Sequence, residues 1–275
     1  GVVSQHLQYG YSNSAIGLYV VLSGFYSSDG IWQHQEFDDS RLDRAKEVMD
    51  LLREHQNEVG VHKWKAKTSK PGKLKSFGIG LTVLRKLAKQ VGKDHRLARK
   101  LWESDYYDAK IISLLIDDPK EITREQVEQQ VEKLNQGHLA HVFSSCGTPV
   151  VKTPFVVDLA AEWVKSKDPL RRSCAYGLLY ELSKSKKKSA PDTAFFLEHV
   201  ECIEESFEGE PLLVQGSMGG ALLGIGKRNA ELNAAALKVA RQIGPIEFVT
   251  DSGNCEPFDV VKHLTSDYIR KKLGV

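Results

Sequence analysis

The chain has 275 residues, of which 41% are hydrophobic, so it is long enough to bury a packed core without disulfide or metal staples. Its four cysteines lie far apart with no Cys-x-x-Cys pair, which argues against a zinc knuckle or a dithiol redox site. The net charge is only +2, and the longest apolar run, residues 16–25, is shorter than the roughly 20 residues that cross a bilayer. The first basic residue is Arg41, so no secretory leader is predicted. We therefore expect a cytoplasmic protein with reduced thiols, no membrane partner, and no metal or other cofactor.

The charges are unevenly distributed along the chain. Residues 1–40 contain four acidic residues and no Lys or Arg, whereas residues 61–100 contain thirteen Lys or Arg against Asp94 alone, a net charge of +12. Such a block attracts polyanions and predicts salt-sensitive binding. A solvated helix face explains the charge equally well on its own.

The pattern is helical almost throughout residues 43–275, whereas residues 1–42 show no sustained period and form an N-terminal appendage of unknown structure. We see no convincing sheet. A short C-terminal extension begins at about residue 244. The predicted helices are Asp43–His55, Leu81–Val91, Asp94–Glu103, Tyr106–Ile116, Thr123–Leu134, His138–Ser145, Pro154–Val164, Pro169–Ser183, Asp192–Glu205, Leu212–Ile225, Glu231–Ile243 and Pro257–Leu273.

Helix starts are marked by capping residues. Thr123 with Gln126 fits a capping box, while Thr153 and Asp168 each precede a proline at a predicted first helical position. Successive short helices joined by few residues are typical of a helical repeat protein. A compact, non-repetitive bundle would give nearly the same pattern.

Several ordered segments resemble one known family. They are Phe77-Gly78-Ile79, Leu84-Arg85-Lys86-Leu87-Ala88-Lys89, Leu101-Trp102-Glu103-Ser104, Ala109-Lys110, Asp117-Asp118-Pro119, Thr123, Glu162-Trp163, Arg171-Arg172 and Ile225-Gly226-Lys227-Arg228-Asn229. Over roughly residues 45 to 243 they resemble the HEAT-like-repeat DNA alkylation repair proteins of the alkylpurine DNA glycosylase type. The resemblance implies an all-α fold, a right-handed superhelix of antiparallel helix pairs whose basic concave face binds DNA.

The resemblance also implies a catalytic apparatus that this sequence lacks. In the family, a carboxylate stabilises the cationic sugar left by excision of an alkylated purine, and two tryptophans flank it. Aligned without gaps, Gly137 replaces the first Trp, His138 the first Asp, His141 the catalytic Asp and Gly220 the second Trp. No Trp, Asp or Glu lies between residues 135 and 157, so a small shift of the alignment does not restore the motif.

The basic residues of the resemblance are retained. Arg171 or Arg172 corresponds to an arginine that the family uses on the DNA backbone, and these arginines stand at a helix start, where their charge is unfavourable unless an anion binds. The lysines of residues 184–188 are also explained by a helix C-terminus. The predicted DNA-binding residues are Arg85, Lys86, Lys89, His138, Arg171, Arg172, Lys184, Lys186, Lys187, Lys188, Lys227 and Arg228.

The catalytic residues cannot be assigned from the sequence, and the candidates are His141, Asp158 and Glu162. His138 and His141 are three apart and share a helix face, but a third metal ligand would require Cys146 to turn back, so no metal site is predicted. Asp158 and Glu162 are one turn apart and could act as paired acids, although a surface salt bridge of Glu162 with Lys165 is the simpler interpretation.

Three functions remain open from the sequence. The first is a protein of the alkylation repair family that binds duplex, damaged or branched DNA, with base excision undecided. The second is an alkylpurine glycosylase with a non-standard acid. The third is a scaffold for protein partners, whose identity the sequence does not indicate. We expect a monomer.

Overall fold

The computed structural model describes residues 25–26, 32–33, 39–67, 72–247 and 256–275. The chain divides into two compact units, residues 1–40 and 41–275. In the first unit, strands β1 (Phe25–Tyr26) and β2 (Trp32–Gln33) pair antiparallel, with Phe25 opposite Gln33 and Tyr26 opposite Trp32. The sequence did not predict this short ladder within the N-terminal appendage.

The second unit is helical throughout its described part. The helices are α1 (Asp39–Glu54), α2 (Glu58–Lys67), α3 (Leu81–Val91), α4 (His95–Trp102), α5 (Tyr107–Ile116), α6 (Arg124–Val131), α7 (Leu139–Ser144), α8 (Val156–Trp163), α9 (Pro169–Ser183), α10 (Thr193–Ser206), α11 (Leu212–Gly226), α12 (Ala230–Ile243), α13 (Val260–Leu264) and α14 (Asp267–Leu273). Two 3₁₀ helices, η1 (Pro149–Lys152) and η2 (Phe207–Gly209), lie between them.

Alternate helices pack side by side and form a stacked layer of α3, α5, α7, α9, α11 and α13, each against the next. Helices α4, α8 and α12 pack on α5, α9 and α11, respectively, and α10 packs on α12. Each helix of the stacked layer therefore packs against neighbours close in sequence, as in a helical repeat protein. The predicted all-α fold of helix pairs is confirmed, and the right-handed sense of the superhelix stays a prediction.

A single hydrophobic core runs through the stack. Its members come from every helix of the stacked layer, and side chains with no exposed surface include Leu84, Ile111, Ile112, Val142, Phe143, Leu178, Leu179, Leu222, Ile225 and Leu264. The close approach of α7 and α9 depends on Gly177, because an added Cβ there would lie 2.3 Å from the Ser144 hydroxyl oxygen. Small residues thus set the spacing of the layer.

Several helix starts carry a side-chain cap, including two of the three for which the sequence predicted one. The Thr123 hydroxyl accepts from the Gln126 backbone N–H at 3.1 Å, and Asp168 accepts from the Leu170 N–H at 3.0 Å. The Gln126 side chain does not complete a capping box, since it donates to Asp117 at 2.7 Å. Asp94, Asp192, Asn229 and Asp259 cap their helices in the same manner.

Two sequence predictions about helices were wrong, and one helix was not predicted. Thr153 caps no helix, because α8 begins at Val156 and the Thr153 hydroxyl donates to the Val150 carbonyl. The predicted helix Pro257–Leu273 is two helices, separated at Thr265 and Ser266. Helix α2 was missed because none of its residues is buried and it carries no apolar stripe.

Candidate functional site

Cys146 turns back onto His141, which answers whether the cysteine can reach the histidine pair. Its φ is +60°, followed by +67° at Gly147, and this reversal places Sγ 3.4 Å from His141 Nε2. Positive φ at a non-glycine residue is strained and is often found at functional sites. The sequence could not indicate the reversal, since only Gly147 signals a left-handed backbone there.

The Cys146–His141 pair is neutral. Desolvation, together with the positive charges of His138 and Arg85, lowers the pKa of His141 below its ordinary value. Desolvation also raises the pKa of the Cys146 thiol. At neutral pH the sulfur therefore stays protonated and is a poor nucleophile. Neither group carries the negative charge that would stabilise a cationic sugar.

The structure places both predicted acids on helix α8. Asp158 is exposed on α8, and Glu162 on the same helix pairs with Arg124 of α6 at 2.7 Å. The expected partner of Glu162, Lys165, was therefore wrong. Neither carboxylate is grouped with His141.

Glu181 is the acid that the stacked layer does bring near His141. It is 7% exposed on α9, and its charge acts on both His141 and Cys146. One carboxylate oxygen pairs with Lys184 at 2.8 Å, whereas the buried Oε1 has no hydrogen-bond partner among the residues that the structure describes. The sequence signal, a carboxylate between Tyr180 and Leu182 in a largely apolar helix, was overlooked.

No metal site is formed by these residues. Within the described ranges, no three His, Cys, Asp or Glu side chains are grouped closely enough to hold an ion. His141 and Cys146 make up only a pair, and a structural zinc site needs four such ligands.

Arg171 is bound by carboxylates of the chain itself. Its guanidinium contacts Glu132 at 2.6 Å, Glu128 at 3.1 Å and Asp168 at 3.1 Å, and it lies over the Trp163 ring. The anion predicted from the sequence at the start of α9 is therefore supplied by carboxylates of the same chain. The geometry favours a structural role for Arg171, and its contact with DNA stays a prediction.

Arg172 is held in the same way by one carboxylate. It donates to both oxygens of Glu210, at 2.8 and 2.6 Å, and to the Ser166 carbonyl at 2.9 Å. This fork-to-fork geometry is the strong form of an Arg–carboxylate pair. Contact of Arg172 with DNA likewise stays a prediction.

A second set of basic side chains lies around His141. Arg85 on α3 is exposed, and its charge acts on His141 and Cys146, while the charge of Lys184 acts on Cys146. Three helices of the stacked layer, α3, α7 and α9, thus bring together residues up to 99 positions apart (85 and 184). Lys86, Lys89 and His138 are also exposed, as are Lys186, Lys187 and Lys188 after α9.

Lys184 also lines a neighbouring cleft with a volume of about 740 Å³. We call this the basic cleft. It lies where the C-terminal ends of α9 and α11 meet the first residues of α10 and α12 and the end of α14. Its lining consists of Tyr180, Ser183, Lys184, Ser185, Lys186, Asp192, Thr193, Gly224, Lys227, Arg228, Asn229, Lys272 and Leu273.

Arg228 forms a wall of this cleft. Its guanidinium donates to the carbonyls of Ser183, Ser185 and Pro191 at 2.9, 2.7 and 3.2 Å, and lies 5.0 Å from the centre of the Phe196 ring. These bonds fix the loop that carries Lys184 and Lys186 against the end of α11. The geometry gives Arg228 a structural role, and its own contact with DNA stays a prediction.

Aromatic rings from elsewhere occupy the space beside Gly137, where the resemblance places the first tryptophan. A Cβ on Gly137, whose φ is +54°, would lie 2.7 Å from the Tyr107 ring and 3.0 Å from the Trp64 ring. These two rings contact each other with centroids 4.5 Å apart. At the position of the second tryptophan, Gly220 has open space beyond its Cα.

Comparison with known proteins agrees with this architecture. The family model described as DNA alkylation repair enzyme matches residues 48–246. An uncharacterised protein of Listeria innocua is 22% identical over 196 residues, covering 70% of this chain and 84% of the relative. One from Listeria monocytogenes is 23% identical over 204 residues, covering 74% and 88%.

A solved structure shares the fold, with a TM-score of 0.69 at 19% identity, over 83% of this chain and 95% of the other. That protein is described as belonging to a new family related to the HEAT-like repeat DNA glycosylases with affinity for branched DNA structures. The likeness shows that this chain has the HEAT-like repeat fold. In the part of the chain that the structure describes, no helix combines the length and apolarity needed to cross a bilayer.

Proposed function

Because the chain belongs to the DNA alkylation repair enzyme family, we propose that it binds DNA, and branched DNA in preference to a plain duplex. The observation that carries the proposal is the convergence of basic side chains from α3, α7, α9 and α11 around His141 and the basic cleft. We call this set the basic track, made up of Arg85, His138, Lys184, Lys186 and Lys227.

The chemistry of the basic track suits a phosphate backbone. No carboxylate contact within 4 Å is found for Arg85, Lys186 or Lys227 among the described residues, so their positive charge is not neutralised locally. Each such side chain that meets a phosphate releases condensed counterions, which makes binding steeply salt-dependent. The preference for branched DNA is supported by the structural relative, whose family is described as having that affinity.

The preferred function does not include base excision by the usual acid. His141 is uncharged at neutral pH, and Asp158 and Glu162 lie on the flanking helix α8. We expect no release of 7-methylguanine above a no-protein control in a single-turnover assay on methylated duplex. Release well above the control would favour the glycosylase alternative, and loss of that release in Glu181→Gln would assign the acid.

The DNA-binding test compares two triple variants with equal loss of charge. Arg85, Lys184 and Lys186 are changed to Gln in one, and Arg96, Arg99 and Lys100 of the flanking helix α4 in the other. Binding of a four-way junction is followed by fluorescence anisotropy over a range of salt. We expect the first variant to lower the salt slope by about 0.9 for each lost phosphate contact, and the second to change it little.

Equal effects of the two triple variants would contradict the basic track as the binding surface, because only net charge would then matter. Absence of junction binding by the unmodified chain would contradict the function itself.

A further inference from the structure

The basic cleft has a feature that the family match does not cover. The match ends at residue 246, whereas Lys272 and Leu273 of α14 form one wall of the cleft. The other lining residues, including Lys227 at the end of α11, lie inside the match. A segment outside the matched region therefore completes a site that the matched region leaves open.

Two lysines come together at this boundary. Lys272 Nζ donates to the backbone carbonyl of Lys227 at 3.3 Å. Desolvation and then the charge of Lys272 lower the pKa of Lys227, so the two positive charges repel each other in a partly dry setting. Such an arrangement is unfavourable unless an anion binds between or beside the two groups.

The cleft offers donors and little competing negative charge. An ammonium has three N–H donors, and the contact with the Lys227 carbonyl uses one of those on Lys272. The Thr193 hydroxyl accepts from Asn229 at 3.0 Å and keeps its own proton to donate. Among the described lining residues, Asp192 is the one carboxylate, and it accepts the Phe195 N–H, against five basic residues, Lys184, Lys186, Lys227, Arg228 and Lys272.

Helix ends alone do not explain the arrangement. Lysines at a helix C-terminus complement the helix dipole, which is a sufficient reason for Lys184 near the end of α9 or Lys272 near the end of α14 taken singly. The dipole effect falls off within one turn and would be satisfied by lysines pointing apart into solvent. It does not account for Lys227 and Lys272 converging on one cleft of about 740 Å³.

We infer that the basic cleft binds a backbone phosphate of DNA between Lys227 of α11 and Lys272 of the C-terminal helix. This rests on the proposed DNA-binding function and extends the basic track by one phosphate beyond the matched region. The geometry requires only an ion pair and hydrogen bonds, with no bond made or broken. Free phosphate has the same chemistry, so the test must separate the two sources.

The test compares Lys272→Gln with Lys271→Gln in the full chain. Both remove one charge from the same exposed turn of α14, but only Lys272 lines the cleft. Binding of a four-way junction is measured as a function of salt. We expect Lys272→Gln to lower the slope by about 0.9 and Lys271→Gln to leave it unchanged. Lys227→Gln should lower the salt slope by the same amount. The double variant Lys227→Gln/Lys272→Gln should lower it by no more than one further phosphate contact.

A second arm uses inorganic phosphate as the probe, by isothermal titration of the unmodified chain and of Lys272→Gln. Weak phosphate binding that Lys272→Gln abolishes, together with the lower DNA slope, supports the inference. If phosphate binds at the cleft but the two DNA slopes are equal, the assignment to the DNA backbone is overturned.

Junction binding with equal slopes for Lys271→Gln and Lys272→Gln, and no phosphate binding, overturns the cleft while the proposed function stands. Absence of junction binding by the unmodified chain overturns both.

Discussion

The Arg172–Glu210 pair provides a quantitative prediction about stability. The two side chains are 18% and 10% exposed, and they join the start of α9 to the connection between η2 and α11. Breaking a buried pair by removing one partner costs about 3–5 kcal/mol, and the residual exposure here places Arg172→Met nearer 2–4 kcal/mol. The change also leaves the Ser166 carbonyl without its donor.

The assay is a double-mutant cycle of Arg172→Met and Glu210→Gln, measured by urea unfolding of the full chain. We expect a coupling energy of about 1–3 kcal/mol between the two positions. Arg241→Met, at an exposed position of α12, is the control and should change the free energy of unfolding by less than about 0.5 kcal/mol. A coupling energy near zero would refute the reasoning that Arg172 is used internally.

Three further predictions concern packing, backbone strain and pH. Gly177→Ala should destabilise the chain by about 1–3 kcal/mol, because its Cβ would meet the Ser144 side chain. Gly220→Ala has open space in the middle of α11, so it should be neutral or stabilising by up to about 1 kcal/mol. Thermal unfolding of the two variants tests the difference. Cys146→Gly should stabilise the chain by relieving the strain of the positive φ. In the unmodified chain, the Cys146 thiol should react slowly with iodoacetamide at neutral pH, and rapid alkylation would contradict its raised pKa. Burial lowers the pKa of His199, so the unfolded state binds more protons and the free energy of unfolding should fall as pH decreases through about 6.5. The urea midpoint of His199→Leu should therefore fall less between about pH 7.5 and 5.5 than that of the unmodified chain. An equal fall would contradict this prediction.

Local features of the fold were predictable from the sequence. The apolar spacing located the helices of the stacked layer, and the caps Thr123 and Asp168 were correct because a cap depends on residues only two or three positions away. Helix α2 was missed because it lacks a buried face, so its sequence has no helical period to detect.

The site was less predictable because its partners are distant in sequence. In the sequence, Arg171 and Arg172 have no evident acidic partners that would explain their roles. In the structure, Arg171 pairs with Glu128, 43 positions away, and Arg172 pairs with Glu210, 38 positions away. Sequence spacing gives no information about such pairs. The convergence of Lys227 with Lys272 of α14 is hidden for the same reason.

The proposed binding of the DNA backbone by the basic track, with a preference for branched structures, can be measured on the unmodified chain. The most direct test is the affinity of the unmodified chain for a four-way junction and for a duplex of the same sequence, each over a range of salt. We expect tighter binding to the junction, with a slope of log K against log salt concentration of about −3.6 if Arg85, Lys184 and Lys186 each meet one phosphate and Lys227 and Lys272 share one. A slope near zero, or no binding to either DNA, would contradict it.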